Sequence, residues 1–137
     1  MTALTNDALL EILSEDAWPI GDEIFIGAGA STAQAGGVPV KGCCHRVTKN
    51  GTANGSLVMK SITSVDAPSM VWIINDDATN AVKVFCAAGD NMNGSANGSL
   101  TVGAASAAVF ARVPAQIKRK GGSSGGGSLD WRSAVIT

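Results

Sequence analysis

The segment Asn50-Gly51-Thr52-Ala53-Asn54-Gly55-Ser56-Leu57 recurs 43 residues later as Asn93-Gly94-Ser95-Ala96-Asn97-Gly98-Ser99-Leu100. Asn-Gly pairs supply the positive φ angles that tight hairpin turns require. Each copy lies between segments of β pattern, so each predicts a strand, an Asn-Gly-rich turn and a second strand. Duplication of a β-unit and repeated use of favourable turn chemistry explain this repeat equally well.

Outward from the repeat, short segments of β pattern with turn signals between them fill the middle of the chain. Met70–Asn75 is a continuous apolar run, which predicts a strand buried on both faces. Many short strands separated by turns favour a sandwich or barrel over βαβ units. The sequence therefore predicts an all-β fold, namely a small antiparallel β-sandwich or barrel. The predicted strands are 23–26, 38–47, 56–63, 70–75, 82–86, 100–102 and 107–113.

Composition limits the classes of protein to which the chain can belong. Of its 137 residues, 45% are hydrophobic but only 4% are aromatic, and 17 are glycine. Charged residues make up 15%, below the roughly 25% of a typical soluble domain. The net charge of -1 speaks against a disordered acidic tail and against a direct nucleic-acid partner. Because small side chains bury little area each, we expect a subunit that completes its stability through partners.

Two terminal segments flank the predicted β-domain of residues 21–117. Residues 1–20 are predicted to hold a short N-terminal helix, which either caps its own domain or reaches a neighbouring subunit. Residues 118–128 are a basic and Gly/Ser-rich linker by composition. Residues 129–137 are predicted to be an extended C-terminal arm that docks on its own subunit or on another chain. The candidate partner-binding residues in these segments are Leu9, Leu10, Leu13, Trp18, Lys118, Arg119, Lys120, Trp131, Val135 and Ile136.

The sequence shows neither a membrane span nor a secretory signal. Its longest apolar runs are far shorter than the roughly 20 residues that a spanning helix needs. The first 13 residues lack a basic region and include two acidic side chains. The three cysteines, two of them adjacent, do not match a secreted disulfide framework. We therefore expect no membrane partner and synthesis in a reducing cytoplasm.

Residues capable of catalysis or metal binding are few and are not arranged in a known motif. Cys43 and His45 share one face of a predicted strand, but no third group nearby in sequence would orient them as nucleophile and base. Together with Cys86 they lack a fourth zinc ligand and any CxxC spacing. Asp76 and Asp77 are interpreted as turn residues rather than as an acid/base pair. We therefore predict no catalytic residue, no metal site and no cofactor, and we expect that the chain is not an enzyme.

Several motifs follow one another in a fixed order between residues 71 and 110. They are Val71-Trp72-Ile73-Ile74-Asn75, Ala81-Val82-Lys83-Val84-Phe85, Ala88-Gly89-Asp90, Met92-Asn93-Gly94 and Val109-Phe110. Together they resemble a β-module common in virion proteins of tailed bacteriophages, in which a strand ending in Asn leads to an "Ala-x-Lys-Val-Phe/Tyr" strand and a "Gly-Asp-x-Ile-Asn-Gly" turn. Met92 departs from this pattern by replacing the usual aliphatic residue, and Cys86 stands where a proline is common.

The resemblance implies a capsid decoration (cement) or head-fibre-type protein. On this basis we expect a non-enzymatic structural protein on the capsid surface of a virion, with the major capsid protein as its partner and a homotrimer as its oligomeric state. The alternative is a receptor- or carbohydrate-binding virion module that uses the Asn-rich turns 50–54 and 91–97. A host-side enzyme or regulator is a third class, for which Cys43 and Cys44 are the most plausible site.

Overall fold

The computed structural model describes residues 23–40, 42–114 and 129–136, which contain eleven β-strands and no helix. The predicted all-β class is confirmed. The predicted N-terminal helix, the linker 118–128 and the candidate residues Leu9, Leu10, Leu13, Trp18, Lys118, Arg119 and Lys120 lie outside the described residues. The strands are β1 (Ile24–Ile26), β2 (Val38–Pro39), β3 (Cys44–Asn50), β4 (Gly55–Val58), β5 (Met70–Asn75), β6 (Val82–Phe85), β7 (Asn91–Met92), β8 (Ser95–Ala96), β9 (Ser99–Val102), β10 (Ser106–Pro114) and β11 (Leu129–Ile136).

The strands form two sheets, and both sheets mix parallel and antiparallel pairs. The seven-stranded sheet has the order β1-β3-β5-β10-β11-β7-β8, and the four-stranded sheet has the order β2-β4-β6-β9. Parallel pairs join β1 to β3, β3 to β5, β2 to β4, β4 to β6 and β7 to β11. The predicted antiparallel arrangement is therefore wrong for these five pairs, and among the described strands neither sheet closes into a barrel.

The path of the chain explains the parallel pairs. From β1 to β6, successive strands alternate between the two sheets, so each strand is separated from its neighbour in the same sheet by one strand of the other sheet. A chain that winds in this way returns to each sheet in the same direction, whereas antiparallel neighbours are joined by a direct hairpin. From β7 onward the strands no longer alternate in this way. β7 and β8 are joined by a direct hairpin, and β6–β9, β5–β10 and β10–β11 are antiparallel pairs with longer connections.

The hydrophobic core includes side chains from both sheets. Ile73 of β5, Phe110 of β10, Leu57 of β4 and Val84 of β6 are fully buried and belong to one cluster. The expectation that β5 is buried on both faces is wrong, because its side chains alternate between buried and half-buried or exposed. Among the described residues, the buried set packs in the core, and the other set lies on the opposite face of the sheet.

The two copies of the sequence repeat place equivalent strands on either side of β6. Leu57 of the first copy and Leu100 of the second are both register partners of Val84. The second Asn-Gly pair of each copy forms the turn before these strands, and its asparagine has a positive φ, 60° at Asn54 and 54° at Asn97. The glycine after each asparagine is closely packed, because a Cβ atom would lie 2.7 Å from its nearest neighbour at Gly55 and at Gly98 alike. In each copy the second Asn-Gly pair leads into a strand beside β6. The predicted single turn between two strands is wrong for the second copy, in which β7 and β8 lie between β6 and β9.

Candidate interaction surface

The C-terminal segment forms a strand of its own chain. β11 lies between β10 and β7 in the seven-stranded sheet. Trp131 is completely buried within the core cluster, whereas Val135 and Ile136 are 44% and 43% exposed. Of the two alternatives that the sequence leaves open for this segment, the structure shows docking on its own subunit. Trp131 therefore contributes to the core in this arrangement, and only the end of β11 presents apolar side chains to solvent.

The turn between β7 and β8 holds β11 on the side away from β10. The Asn93 backbone N–H donates to the carbonyl of Trp131 at 2.8 Å. Its side chain donates to Ser133 Oγ at 2.7 Å and accepts from the Ser133 N–H at 3.0 Å. The N–H of Gly94 donates to both carboxylate oxygens of Asp130, at 3.2 and 3.1 Å. We refer to these contacts of Asn93 and Gly94 with β11 as the clasp.

The clasp depends on the backbone conformation of the second Asn-Gly pair. Asn93 and Gly94 have φ angles of 53° and 81°. Positive φ at both central residues is the geometry of a type I′ hairpin turn, which Asn-Gly favours. The carboxylate of Asp130 that accepts from Gly94 is itself fully buried, and it pairs with Arg132 at 2.7 Å. The buried charge is thereby both paired and hydrogen-bonded, as a buried carboxylate requires.

The outer face of the seven-stranded sheet carries a continuous apolar surface. Alternate side chains of β5, β10 and β11 point away from the core, and register partners such as Ala134, Val109 and Trp72 stand in a row across the three strands. None of these outward residues belongs to the core cluster of the described chain. We name this surface the outer patch, and it consists of Met70, Trp72, Ile74, Ala107, Val109, Ala111, Ala134 and Ile136.

Charged groups at the margins of the outer patch are paired within the chain. Arg46 is the register partner of Ile74 on β3, and it forms an ion pair with Asp76. The hydrogen bond and the charge of Asp76 raise the pKa of Arg46. Arg132, the register partner of Ala111, pairs with Asp130. An apolar centre bordered by paired charges has the arrangement of a protein–protein interface, with an apolar core and a polar rim.

His45, Cys44 and Cys86 have the surroundings of structural side chains. His45 is buried, and its Nε2 accepts a hydrogen bond from the Gly42 N–H at 2.7 Å. Burial, and then the neighbouring Cys43, raise the pKa of Cys44, whereas a reactive thiol needs a lowered one. Burial also raises the pKa of Cys86. In the part of the chain that the structure describes, no three His, Cys, Asp or Glu side chains are grouped to hold a metal ion.

The two adjacent aspartates are occupied by local contacts. Asp77 Oδ1 accepts from the N–H groups of Asn80 and Thr79, and its Oδ2 accepts from that of Asn50. These hydrogen bonds, led by that of Asn80, lower the pKa of Asp77. Asp77 therefore closes the turn between β5 and β6 and ties it to the end of β3, which confirms its interpretation as a turn residue. Asp76 pairs with Arg46 at the margin of the outer patch.

Three asparagines of the Asn-rich turns use their side chains to hold their own chain. Asn50 is buried and donates to the carbonyl of Ala81 at 2.8 Å. Asn93 takes part in the clasp, and Asn97 accepts from the N–H of Gly89 at 2.8 Å. Side-chain amides engaged in this way are less available to bind a sugar. The contacts thus weigh against the turns as a carbohydrate-binding surface.

The chain matches no protein-family model, no curated protein sequence and no solved structure. Within the described ranges, no helix is long and apolar enough to cross a membrane. Of the predicted partner-binding residues, the structure brings Ile136 into the outer patch, places Val135 on the opposite face of β11, where it is 44% exposed, and buries Trp131.

Most of the outer patch was not among the residues predicted to bind partners. The signal was present in the unbroken apolar run Met70–Asn75 and in the small apolar residues of 107–111. A strand with apolar side chains on both faces lies either between two layers or at an interface. The sequence predicts a strand between two layers, whereas the described structure has a second layer on one face of β5 only.

Proposed function

We propose that this chain is a non-enzymatic structural protein of a bacteriophage virion, which decorates and stabilises the capsid shell by binding the major capsid protein through the outer patch. The observation that carries the proposal is the apolar outer face of the seven-stranded sheet, bordered by paired charges. An apolar centre with a polar rim is the arrangement found at protein–protein interfaces. The resemblance of residues 71–110 to a phage virion module supports the choice of a capsid protein as partner.

The size of the outer patch determines how it would be used. It covers about 13 Å along the strands and about 10 Å between the outermost strand axes, a projected area on the order of 150 Å². A stable interface buries roughly 800 Å² on each partner. The patch alone therefore supplies only a minor part of what durable attachment needs, and further contacts or several linked copies must contribute.

The N-terminal segment is the proposed source of further contact area. Residues 1–22 join the sheet at β1, which is the edge strand of the same seven-stranded sheet. Trp18 is only five residues before Glu23 in the sequence. Leu9, Leu10 and Leu13 precede it on the predicted apolar stripe. A homotrimer would add to this by presenting three outer patches, because linked sites bind far more tightly than one alone.

The test measures how many copies of the chain are present on virus particles. The phage genome that encodes the chain is edited to carry Val109→Asp, which places a charge in the centre of the outer patch. Thr101→Asp is the matched control, because Thr101 is exposed on β9 in the other sheet. Particles are purified on a density gradient, and the ratio of this chain to the major capsid protein is measured by mass spectrometry.

We expect the wild-type chain and Thr101→Asp to be present at a copy number near that of the major capsid protein, and Val109→Asp to fall at least tenfold. Circular dichroism of the purified variants checks that both remain folded. Absence of the wild-type chain from particles would overturn the proposed function. A Val109→Asp variant that is folded and present at wild-type copy number would overturn the assignment of the outer patch.

A further inference from the structure

The connection between the last two strands is much longer than their pairing requires. β10 and β11 are antiparallel neighbours, and Pro114 at the end of one is the register partner of Leu129 at the start of the other. Two residues suffice to join such strands in a hairpin. Here the 14 residues 115–128 intervene, and eight of them are Gly or Ser. The fold therefore does not require that β11 follow β10 within one chain.

β11 occupies a site that recognises it along both edges. On one edge it pairs with β10 over its whole length, from Leu129 to Ile136. On the other edge the clasp binds it through Asn93 and Gly94. In the core, its Trp131 is completely buried. Main-chain pairing together with a buried anchor side chain is how a sheet binds an added strand from another chain.

The length of the connection allows it to reach a neighbouring molecule. From its length and Gly/Ser-rich composition, a chain of 14 residues is expected to have an r.m.s. end-to-end distance of roughly 20 Å, and its fully extended length is about 50 Å. A compact domain of this size has a radius of gyration of about 13 Å, so it is roughly 35 Å across. The site that β11 fills in an adjacent copy is therefore within reach where two copies touch with these sites on facing sides.

We propose that β11 is an exchangeable strand, and that in assemblies of this protein the site between β10 and the clasp is filled by β11 of a second copy. The contacts are the same in both arrangements, so the local concentration of copies decides between them. A linker of this length presents its own strand at an effective concentration in the millimolar range. Dilute chains therefore close on themselves, whereas chains packed side by side exchange strands and become linked through their sheets.

The test uses a disulfide that reports which chain supplies β11. Val109 and Ala134 are register partners on the outer face of β10 and β11. One full-length chain carries Val109→Cys, and a second, tagged chain carries Ala134→Cys. The two chains are unfolded together, refolded at micromolar and at near-millimolar concentration, oxidised, and separated by non-reducing electrophoresis. Each single variant alone and the wild-type chain measure the background from Cys43, Cys44 and Cys86.

At near-millimolar concentration we expect a disulfide between the two chains at least tenfold above the single-variant background, with a much lower yield at micromolar concentration. A chain carrying both Val109→Cys and Ala134→Cys should close within itself at micromolar concentration, which checks the register. Absence of the inter-chain disulfide, when the double variant closes normally, would overturn the proposal.

Shortening the connection provides a second readout. Deletion of residues 121–128 leaves six residues between Pro114 and Leu129, which is enough for a hairpin loop but reduces the reach to a neighbour. We expect the inter-chain disulfide to decrease several-fold, while closure within one chain persists. An unchanged inter-chain yield would show that the disulfide arises from another contact, and would count against strand exchange.

Discussion

Substitution of Trp131 tests whether β11 belongs to the folded core. The indole is fully buried, and its Nε1–H has no hydrogen-bond partner among the described residues. The side chain therefore stabilises the fold by packing and not by hydrogen bonding. Two substitutions separate these effects, because Trp131→Ala removes the ring, whereas Trp131→Phe keeps an aromatic ring and removes the unpaired N–H.

The expected free-energy changes follow from burial. A buried Trp removes roughly 150–250 Å² from water, which at about 25 cal/mol per Å² corresponds to about 4–6 kcal/mol. Comparable truncations of Trp to Ala cost about 3–5 kcal/mol, a large part of the roughly 5–15 kcal/mol that stabilises a domain. For Trp131→Phe, a residual cavity costs about 1 kcal/mol, and loss of an unpaired buried N–H returns about 1–3 kcal/mol. We therefore expect Trp131→Phe to lie within about 2 kcal/mol of the wild type.

Urea denaturation followed by far-UV circular dichroism measures these free energies of unfolding. Val135→Ala is the matched control, because Val135 lies in the same strand but is 44% exposed, so its truncation should cost less than about 1 kcal/mol. A Trp131→Ala variant as stable as this control would refute the burial of β11 in the core. Equal losses for Trp131→Ala and Trp131→Phe would refute the argument that the indole acts by packing alone.

Three further predictions concern the clasp, the turn after β5 and a buried thiol. Asn93→Gly keeps the positive φ but loses the side-chain bonds to Ser133, and Asn93→Ala must also hold a φ of 53°. By urea denaturation, the free energy of unfolding should be highest for the wild type, lower for Asn93→Gly and lowest for Asn93→Ala, which should lose about 2–3 kcal/mol. Equal losses for the two variants would contradict this prediction. Backbone hydrogen bonds, led by that of Asn80, lower the pKa of Asp77. The ionised carboxylate therefore stabilises the folded state above about pH 4, and this stabilisation is lost as the pH falls through the folded-state pKa. The free energy of unfolding of Asp77→Asn should therefore fall less between pH 5 and pH 3 than that of the wild type. An equal fall in the two proteins would count against this role of Asp77. Because burial raises the pKa of Cys86, iodoacetamide at pH 8 should label it at least tenfold more slowly in the folded than in the urea-unfolded protein, as measured by mass spectrometry; equal rates would show that it is accessible.

Local features of this fold were predictable because they depend on neighbouring residues. The alternation Val82-Lys83-Val84-Phe85 predicts the strand that becomes β6, with both valines buried. The repeated Asn-Gly pairs predict positive φ, which the structure shows at Asn54, Asn93 and Asn97. In each case the residue type has a conformational or burial preference that tertiary contacts reinforce.

The order and direction of the strands were not predictable from the same signals. Alternating hydrophobicity shows which side chains are buried, but it is the same for parallel and antiparallel neighbours. The Asn-Gly turn at 50–55 was expected to have hairpin geometry, yet it carries the chain from β3 in one sheet to β4 in the other. The outer patch was missed for a related reason, since an apolar strand face does not reveal whether a second layer covers it.

The structure also bears on the origin of the repeat. In both copies, the first Asn-Gly pair bonds to the seven-stranded sheet, through the Gly51 N–H to Ile26 in one and the Asn93 N–H to Trp131 in the other. In both copies, the second Asn-Gly pair forms a turn that leads into a strand beside β6. The connections nevertheless differ, because the first copy crosses between sheets, whereas the second begins with the β7–β8 hairpin, and the strands that follow run in opposite directions beside β6. A duplicated unit would be expected to retain its connections, so these differences favour repeated use of one turn chemistry. That chemistry places an N–H donor toward a neighbouring strand, and at Asn93 and Gly94 it holds the strand that carries Trp131.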